Sequence, residues 1–311
     1  MTGSSGRASA SGSVGAVAEL LRPLNGLMAS AAVVVGAYVS RWPTRWPEAV
    51  LGAVAAFAAA AGANALNDAA DAEADAVNRP SRPVPSGRVS RRTAVAVAVA
   101  AWAVAGFAAS LVGPRAALLV AAWIVVSAVY SPWIKRAAFA KDAVVAAVAA
   151  SPFLLGGITQ DKLLLSSVPF ALAFLAHAAR ELVKDVQDRE GDVRAGVRTA
   201  AAVVGEGATL AVSRVVIIVL MAVAALPYLA PRLMAPPDVH PVFGTLAGRF
   251  VQGVGYNWGY GALVAVADVL LIRVLFLTSG DTDAAALAKA SRTLKAVMAV
   301  GIFAFVVGVM W

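Results

Sequence analysis

A chain of 311 residues that is 60% hydrophobic and 14% charged, with a mean hydropathy of +0.77, excludes a soluble globular domain and points to an all-α membrane protein with many spans. The absence of cysteine excludes a disulfide, a thiolate metal site and a thiol nucleophile. In a chain this apolar, a net charge of +8 fits topology-setting and phosphate-binding residues and no nucleic-acid partner.

Residues Met1 to Ser13, mostly Gly, Ser and Ala, read as a flexible tail, which leaves 14–311 as one transmembrane domain. A short amphipathic piece, Val14 to Leu21, leads to Arg22-Pro23-Leu24-Asn25, and Gly26 to Val39 forms the first span. Arg41, Trp42, Arg45 and Trp46 make an interfacial belt and turn. The second span starts near Pro47, runs to Asn64 and emerges into the acidic stretch Asn67-Asp68-Ala-Ala-Asp71-Ala-Glu73-Ala-Asp75. Asn78 to Arg88, with Pro80, Pro83, Pro85 and Gly87, cannot be regular helix and makes a rigid basic loop beside those acids. Spans three and four, Thr93 to Val112 and Arg115 to Val129, meet at Gly113-Pro114, and Tyr130-Ser131-Pro132-Trp133 with Lys135 and Arg136 follows. Span five runs from Asp142 to Ile158. Span six starts at Leu163 and ends in a second acidic stretch, Lys184-Asp185-Val-Gln-Asp188-Arg-Glu190-Gly-Asp192. Ala208 to Leu229, Tyr256 to Phe276 and Ala284 to Trp311 complete nine spans, at roughly 30 residues for each span with its loop.

The two acidic stretches share the spacing D-x-x-D-x-x-x-D at a constant offset of 117, and Asn64 and Glu181 correspond at the same offset. That predicts an internal duplication of about 22–136 and 139–255. Nine of the 18 acids lie in 64–75 and 181–192, a clustering that acid-rich helix ends in water do not account for. On a continuous helix, Asp68, Asp71 and Asp75 fall within roughly 60° of arc and share a face. Like charges that close drive one another's pKa up unless a cation is bound, and oxygen ligands without thiols favour magnesium. If the acidic loops face the cytoplasm, that side carries 19 of the 26 Lys and Arg, so the positive-inside rule puts both stretches there.

Two polycarboxylate helices flanked by arginines suit a diphosphate: divalent cations bridge carboxylate and phosphate oxygens, and Arg or Lys pairs with the remaining charge. A diphosphate that leaves an allylic carbon needs its departing charge stabilised and water excluded. Neither a hydrolytic triad nor a dinucleotide loop is present. An ion-coupled carrier is the rival from another class, but the acids gather at one membrane face and no span reads as broken at its centre.

The stretches Arg22-Pro-Leu-Asn25, Asn64-x-x-Asn67-Asp68-x-x-Asp71-x-x-x-Asp75, Asn78-Arg-Pro-x-Arg-Pro-x-Pro-Ser-Gly87, Tyr130-Ser131 with Lys135-Arg136, and Arg180-Glu-x-x-Lys-Asp185-x-x-Asp188-x-Glu-Gly-Asp192 resemble the UbiA superfamily of intramembrane prenyltransferases. The resemblance covers the chain from Leu21 to Trp311. It implies nine transmembrane helices in two related bundles around a central cavity, two magnesium ions, and transfer of a prenyl group from its diphosphate. Within the superfamily the chain looks most like archaeal members that add a geranylgeranyl group to the hydroxyl of a glycerol phosphate lipid, geranylgeranylglyceryl phosphate. An aromatic acceptor such as 4-hydroxybenzoate is the alternative.

On this resemblance the metal falls to Asn64, Asn67, Asp68, Asp71 and Asp75 in the first stretch and to Asp185, Asp188 and Asp192 in the second. Arg79, Arg82, Lys135 and Lys184 would pair with the diphosphate. Arg22 and Asn25 would orient the acceptor, and Tyr130 and Ser131 would line the cavity near the allylic carbon, where a tyrosine face stabilises a carbocation. The expected partners are a prenyl diphosphate donor, a lipid or aromatic acceptor and membrane lipid, with the protein integral to the cell membrane and its active site on the cytoplasmic side.

Overall fold

The structure, a computed structural model, describes residues 10–40, 45–130, 138–194, 197–234, 256–280 and 282–309. Alanine, leucine and valine runs without regular alternation fold here as helices, and among the described residues there is no strand. In chain order the helices are α1 (Ala10–Leu21), α2 (Pro23–Val39), α3 (Trp46–Ala70), α4 (Ala72–Asn78), α5 (Arg91–Val112), α6 (Pro114–Tyr130), α7 (Ala138–Ala150), α8 (Pro152–Thr159), α9 (Leu163–Gln187), α10 (Arg189–Arg194), α11 (Ala200–Val204), α12 (Glu206–Met234), α13 (Trp258–Leu277) and α14 (Ala284–Val309). Seven spans among the described residues are long and apolar enough to cross a membrane, and α1 with α2, bent by 43°, adds an eighth if counted as one. The expected fourth span, α6, is a shorter apolar helix of 17 residues.

Several sequence expectations need correction. Helix α1 begins inside the stretch read as a tail. The fifth span is found as one apolar crossing of 22 residues, Ala138–Thr159, made of α7 and α8 joined at Ser151, where Pro152, which has no N–H for the ladder, starts α8. The second span does not carry all three acids on one unbroken helix. It ends at Ala70, and α4 begins at Ala72, with Asp71 between them at φ −91°, ψ 9°. The i→i+4 ladder persists through the bend: Asp71 N–H donates to Asn67 O at 2.9 Å and Asp75 N–H to Asp71 O at 2.8 Å.

The second stretch repeats this local form. Helix α9 spans 163–187 where α3 spans 46–70, so both its bounds stand 117 residues beyond those of α3, and both helices have 25 residues. Asp188 sits between α9 and α10 at φ −96°, ψ 2°. Its N–H donates to Lys184 O at 2.9 Å, and Asp192 N–H donates to Asp188 O at 3.0 Å.

The chain divides into two compact units, Met1–Ser30 with Leu51–Ser131, and Ala31–Val50 with Pro132–Trp311. This division does not follow the bounds of the sequence repeat, since 31–50 goes with the second unit. In the first unit, Ala16 and Leu20 of α1 pack with Ala65 and Ala69 of α3, Ala94 and Ala98 of α5, and Val84 and Val89 of the basic loop. In the second, α2 and α8 pack closely enough that a Cβ on Gly36 would run into the Phe153 carbonyl and one on Gly156 into the Val33 carbonyl. Small residues at that crossing let the two backbones touch. A larger cluster joins α9, α12, α13 and α14, with Tyr256 stacked on Tyr260 at 4.7 Å and Phe305 against both.

Candidate functional site

In the first unit the acidic stretch is held from two sides. Asp68 is buried at 1% exposure and accepts from the Arg22 guanidinium, with Arg82 Nη1 at 3.5 Å from the same oxygen. Arg22 lies at the joint between α1 and α2 with φ 49°, a left-handed backbone that an arginine adopts only at a cost. Arg82 also pairs with Asp75. The loop that carries Arg82 is folded by its own backbone: Ser86 N–H donates to Arg82 O at 3.0 Å, Gly87 N–H to Val84 O at 3.0 Å and Val89 N–H to Pro83 O at 2.9 Å. Gly87 supplies the positive φ of 75° that this turn requires. Behind the acids, Asn64 Nδ2 donates to Leu21 O at 3.3 Å, and Arg91 donates to Ala69 O at 2.9 Å and to Glu73 at 3.3 Å. Asn67 and Asp71 are half-buried, while Asn25 and Arg79 are exposed.

In the second unit the first acid is again buried against a cation. Asp185, at 4% exposure, pairs with Lys141, itself at 6%, and Lys141 also donates to Asp142 at 2.7 Å. The other Asp185 oxygen accepts from Ala200 N–H at 3.1 Å, which ties the stretch to the start of α11. A Lys bridging two carboxylates in this way is what lets three charges stay buried together. Asp188 and Asp192 are half-buried. Upstream, Glu181 accepts from Arg180 Nη1 at 2.8 Å and lies 3.6 Å from Lys184 Nζ.

Of the expected site residues, the structure brings Arg22, Asp68, Asp75 and Arg82 into one ion-paired group. Ser131, Lys135 and the side chain of Tyr130 lie outside the described residues. No three His, Asp or Glu side chains among the described residues already converge as a metal cage. The donor chemistry nonetheless fits a hard divalent cation: each stretch offers only oxygen ligands, and the half-buried Asp71, Asp188 and Asp192 are reachable from water. Sequence reasoning missed Lys141 and Asp142. The repeat offset held a signal, because it sets Asp142 against Asn25 of the start motif and Lys141 one residue before it.

The UbiA prenyltransferase family model matches residues 27–294. The chain belongs to the UbiA prenyltransferase family. As a UbiA prenyltransferase it is an enzyme, and its apolar helices make it an integral membrane protein. It is 36% identical over 288 residues to the digeranylgeranylglyceryl phosphate synthase of Methanopyrus kandleri, covering 92% of this chain and 96% of the relative. To the enzyme of that name from Halobacterium salinarum it is 35% identical over 291 residues, covering 93% and 95%. In fold it is similar to a solved UbiA homolog from Aeropyrum pernix, with a TM-score of 0.71 at 22% identity over 92% of this chain and 98% of that one. It is also similar to a UbiA homolog from Archaeoglobus fulgidus bound to GPP and Mg2+, with a TM-score of 0.62 at 18% identity over 94% and 99%.

Proposed function

We propose that this UbiA prenyltransferase carries out magnesium-dependent transfer of a geranylgeranyl group from its diphosphate to the hydroxyl of geranylgeranylglyceryl phosphate. The observation that carries the reading is the repeated bend: in each stretch the middle aspartate sits between two helices with dihedral angles within 7° of the other's and the same pattern of ladder bonds. Matching helix bounds at the 117-residue offset support an internal duplication that gives the enzyme two copies of one acidic device. The names of the archaeal relatives support the acceptor.

Within each stretch the first aspartate is read as a counter-ion, Asp68 for Arg22 and Asp185 for Lys141, on the strength of burial and pairing. The metal then falls to Asp71 and Asp75, with Asn64 and Asn67 beside them, and to Asp188 and Asp192. Two magnesium ions, when bound, neutralise charge that builds on the departing diphosphate. Arg79, Arg82, Lys135 and Lys184 pair with its oxygens, and Tyr130 and Ser131 border the allylic carbon. Arg82 is engaged by Asp75 in this structure and would be the guanidinium nearest to a diphosphate held there. Arg22 and Asn25 orient the acceptor. Nine spans follow if α1 with α2 and the short α6 both cross, and the basic residues beside the acidic stretches set these on the cytoplasmic side of the cell membrane.

The test is an assay of purified protein with radiolabelled geranylgeranyl diphosphate against two acceptors, geranylgeranylglyceryl phosphate and 4-hydroxybenzoate. Product on the lipid, lost with EDTA and restored by magnesium, is the expected result. Product only on the aromatic acid would overturn the acceptor, and labelled substrate accumulating in liposomes without diphosphate release would overturn the chemistry.

A further inference from the structure

A second cationic group in the second unit is left unused by the metal and diphosphate. Arg180 sits on α9 inside the membrane-spanning stretch, and its Nε is buried with no hydrogen-bond partner among the described residues. Lys295, on α14, is exposed and lies within electrostatic reach of Arg180, Lys184 and Glu181 across the packed α9 and α14. Three cations therefore face one carboxylate, Glu181, which Arg180 and Lys184 already share. Lys141, also within reach of Glu181, is committed to Asp142 and Asp185. A surplus of positive charge in a span is expensive unless an anion arrives to meet it.

The position along α9 distinguishes which anion. Lys184 lies one turn before Asp188 and is within reach of a diphosphate held there. Arg180 lies eight residues before Asp188, roughly 12 Å along the axis, one turn farther from that diphosphate than Lys184. Resting on the acceptor reading above, we propose that Arg180 and Lys295 form a separate subsite for a phosphate monoester, the phosphate of the glyceryl lipid acceptor. A dianionic phosphate monoester matches two cations with a free N–H on the guanidinium. An aromatic acceptor with a single carboxylate would leave one of them without a counter-charge.

The experiment measures equilibrium binding of geranylgeranylglyceryl phosphate and of its dephosphorylated alcohol in detergent, without donor or magnesium, to wild type, Lys295→Met and Lys295→Arg. Wild type is expected to prefer the phosphorylated lipid, and Lys295→Met to lose roughly 10-fold or more of that preference, the factor for one charge-assisted contact. Lys295→Arg retains most of it. In turnover, Lys295→Met raises the KM for the phosphorylated lipid and leaves the KM for geranylgeranyl diphosphate within about twofold, since only one of the two phosphate-bearing substrates loses a contact. Undiminished preference in Lys295→Met, or a rise confined to the donor KM, overturns the subsite. Wild-type protein that transfers nothing to the lipid overturns the acceptor reading instead, so the two failures are told apart.

Discussion

Asp68 and Asp185 hold the same place in their stretches and are both buried, yet each is satisfied by a basic residue from an earlier helix or joint, Arg22 or Lys141. Removing one partner of such a pair strands the other charge. Lys141→Met is expected to cost about 3–5 kcal/mol, read as a lower unfolding temperature in detergent, and Lys141→Met with both Asp142→Asn and Asp185→Asn recovers most of the loss. A triple variant no more stable than the single one would show that Lys141 has another role. Asp71→Asn and Asp188→Asn should instead keep the unfolding temperature and lower transfer by roughly 100-fold or more, on the scale of losing one group that stabilises developing charge. The acidic spacing was legible because half of the chain's acids sit in two short matching stretches. Lys141 was not, because its partner Asp185 lies 44 residues away, and a lysine at the head of a span reads as a topology signal until its burial is seen.

At the level of elements, the bends were hidden in the sequence for a specific reason. Hydrogen bonds continue across Asp71 and Asp188, so periodicity alone reads each acidic stretch as one helix. The Pro-rich loop was legible as non-helical, but its purpose came only from structure: Val84 and Val89 anchor in the first unit's core and leave Arg82 against Asp75. The joint at Ser151 is marked by Pro152, yet the ladder runs across it, with Ser151 N–H donating to Ala147 O at 3.0 Å and Leu155 N–H to Ser151 O at 3.1 Å. Glycines test the helix crossings. Gly156→Val forces a side chain into the backbone of α2 and is expected to cost about 3 kcal/mol or more by overpacking. Gly106→Ala meets nothing within 4 Å on α5 and is expected to gain roughly 0.5–1 kcal/mol from helix propensity. Thermal unfolding of the two variants side by side checks both, and equal stabilities would contradict the packing described.

For the whole molecule, composition alone was sufficient to place it in a membrane, and hydropathy found each long helix, because a bilayer demands apolar residues and internally paired backbone wherever the chain crosses it. Helix count was harder to read. The expected fourth span, Arg115 to Val129, falls on α6, whose 17 described residues rise roughly 25 Å against a hydrocarbon layer of about 30 Å. A helix that falls short draws the surrounding lipid thinner or leans on its neighbours. The enzyme should therefore work faster in vesicles of short-chain phosphatidylcholine than in long-chain ones at equal fluidity, a dependence that a rate series over acyl length would reveal. Bilayer thickness then becomes a setting of this catalyst, fixed by the lipids in which it is dissolved.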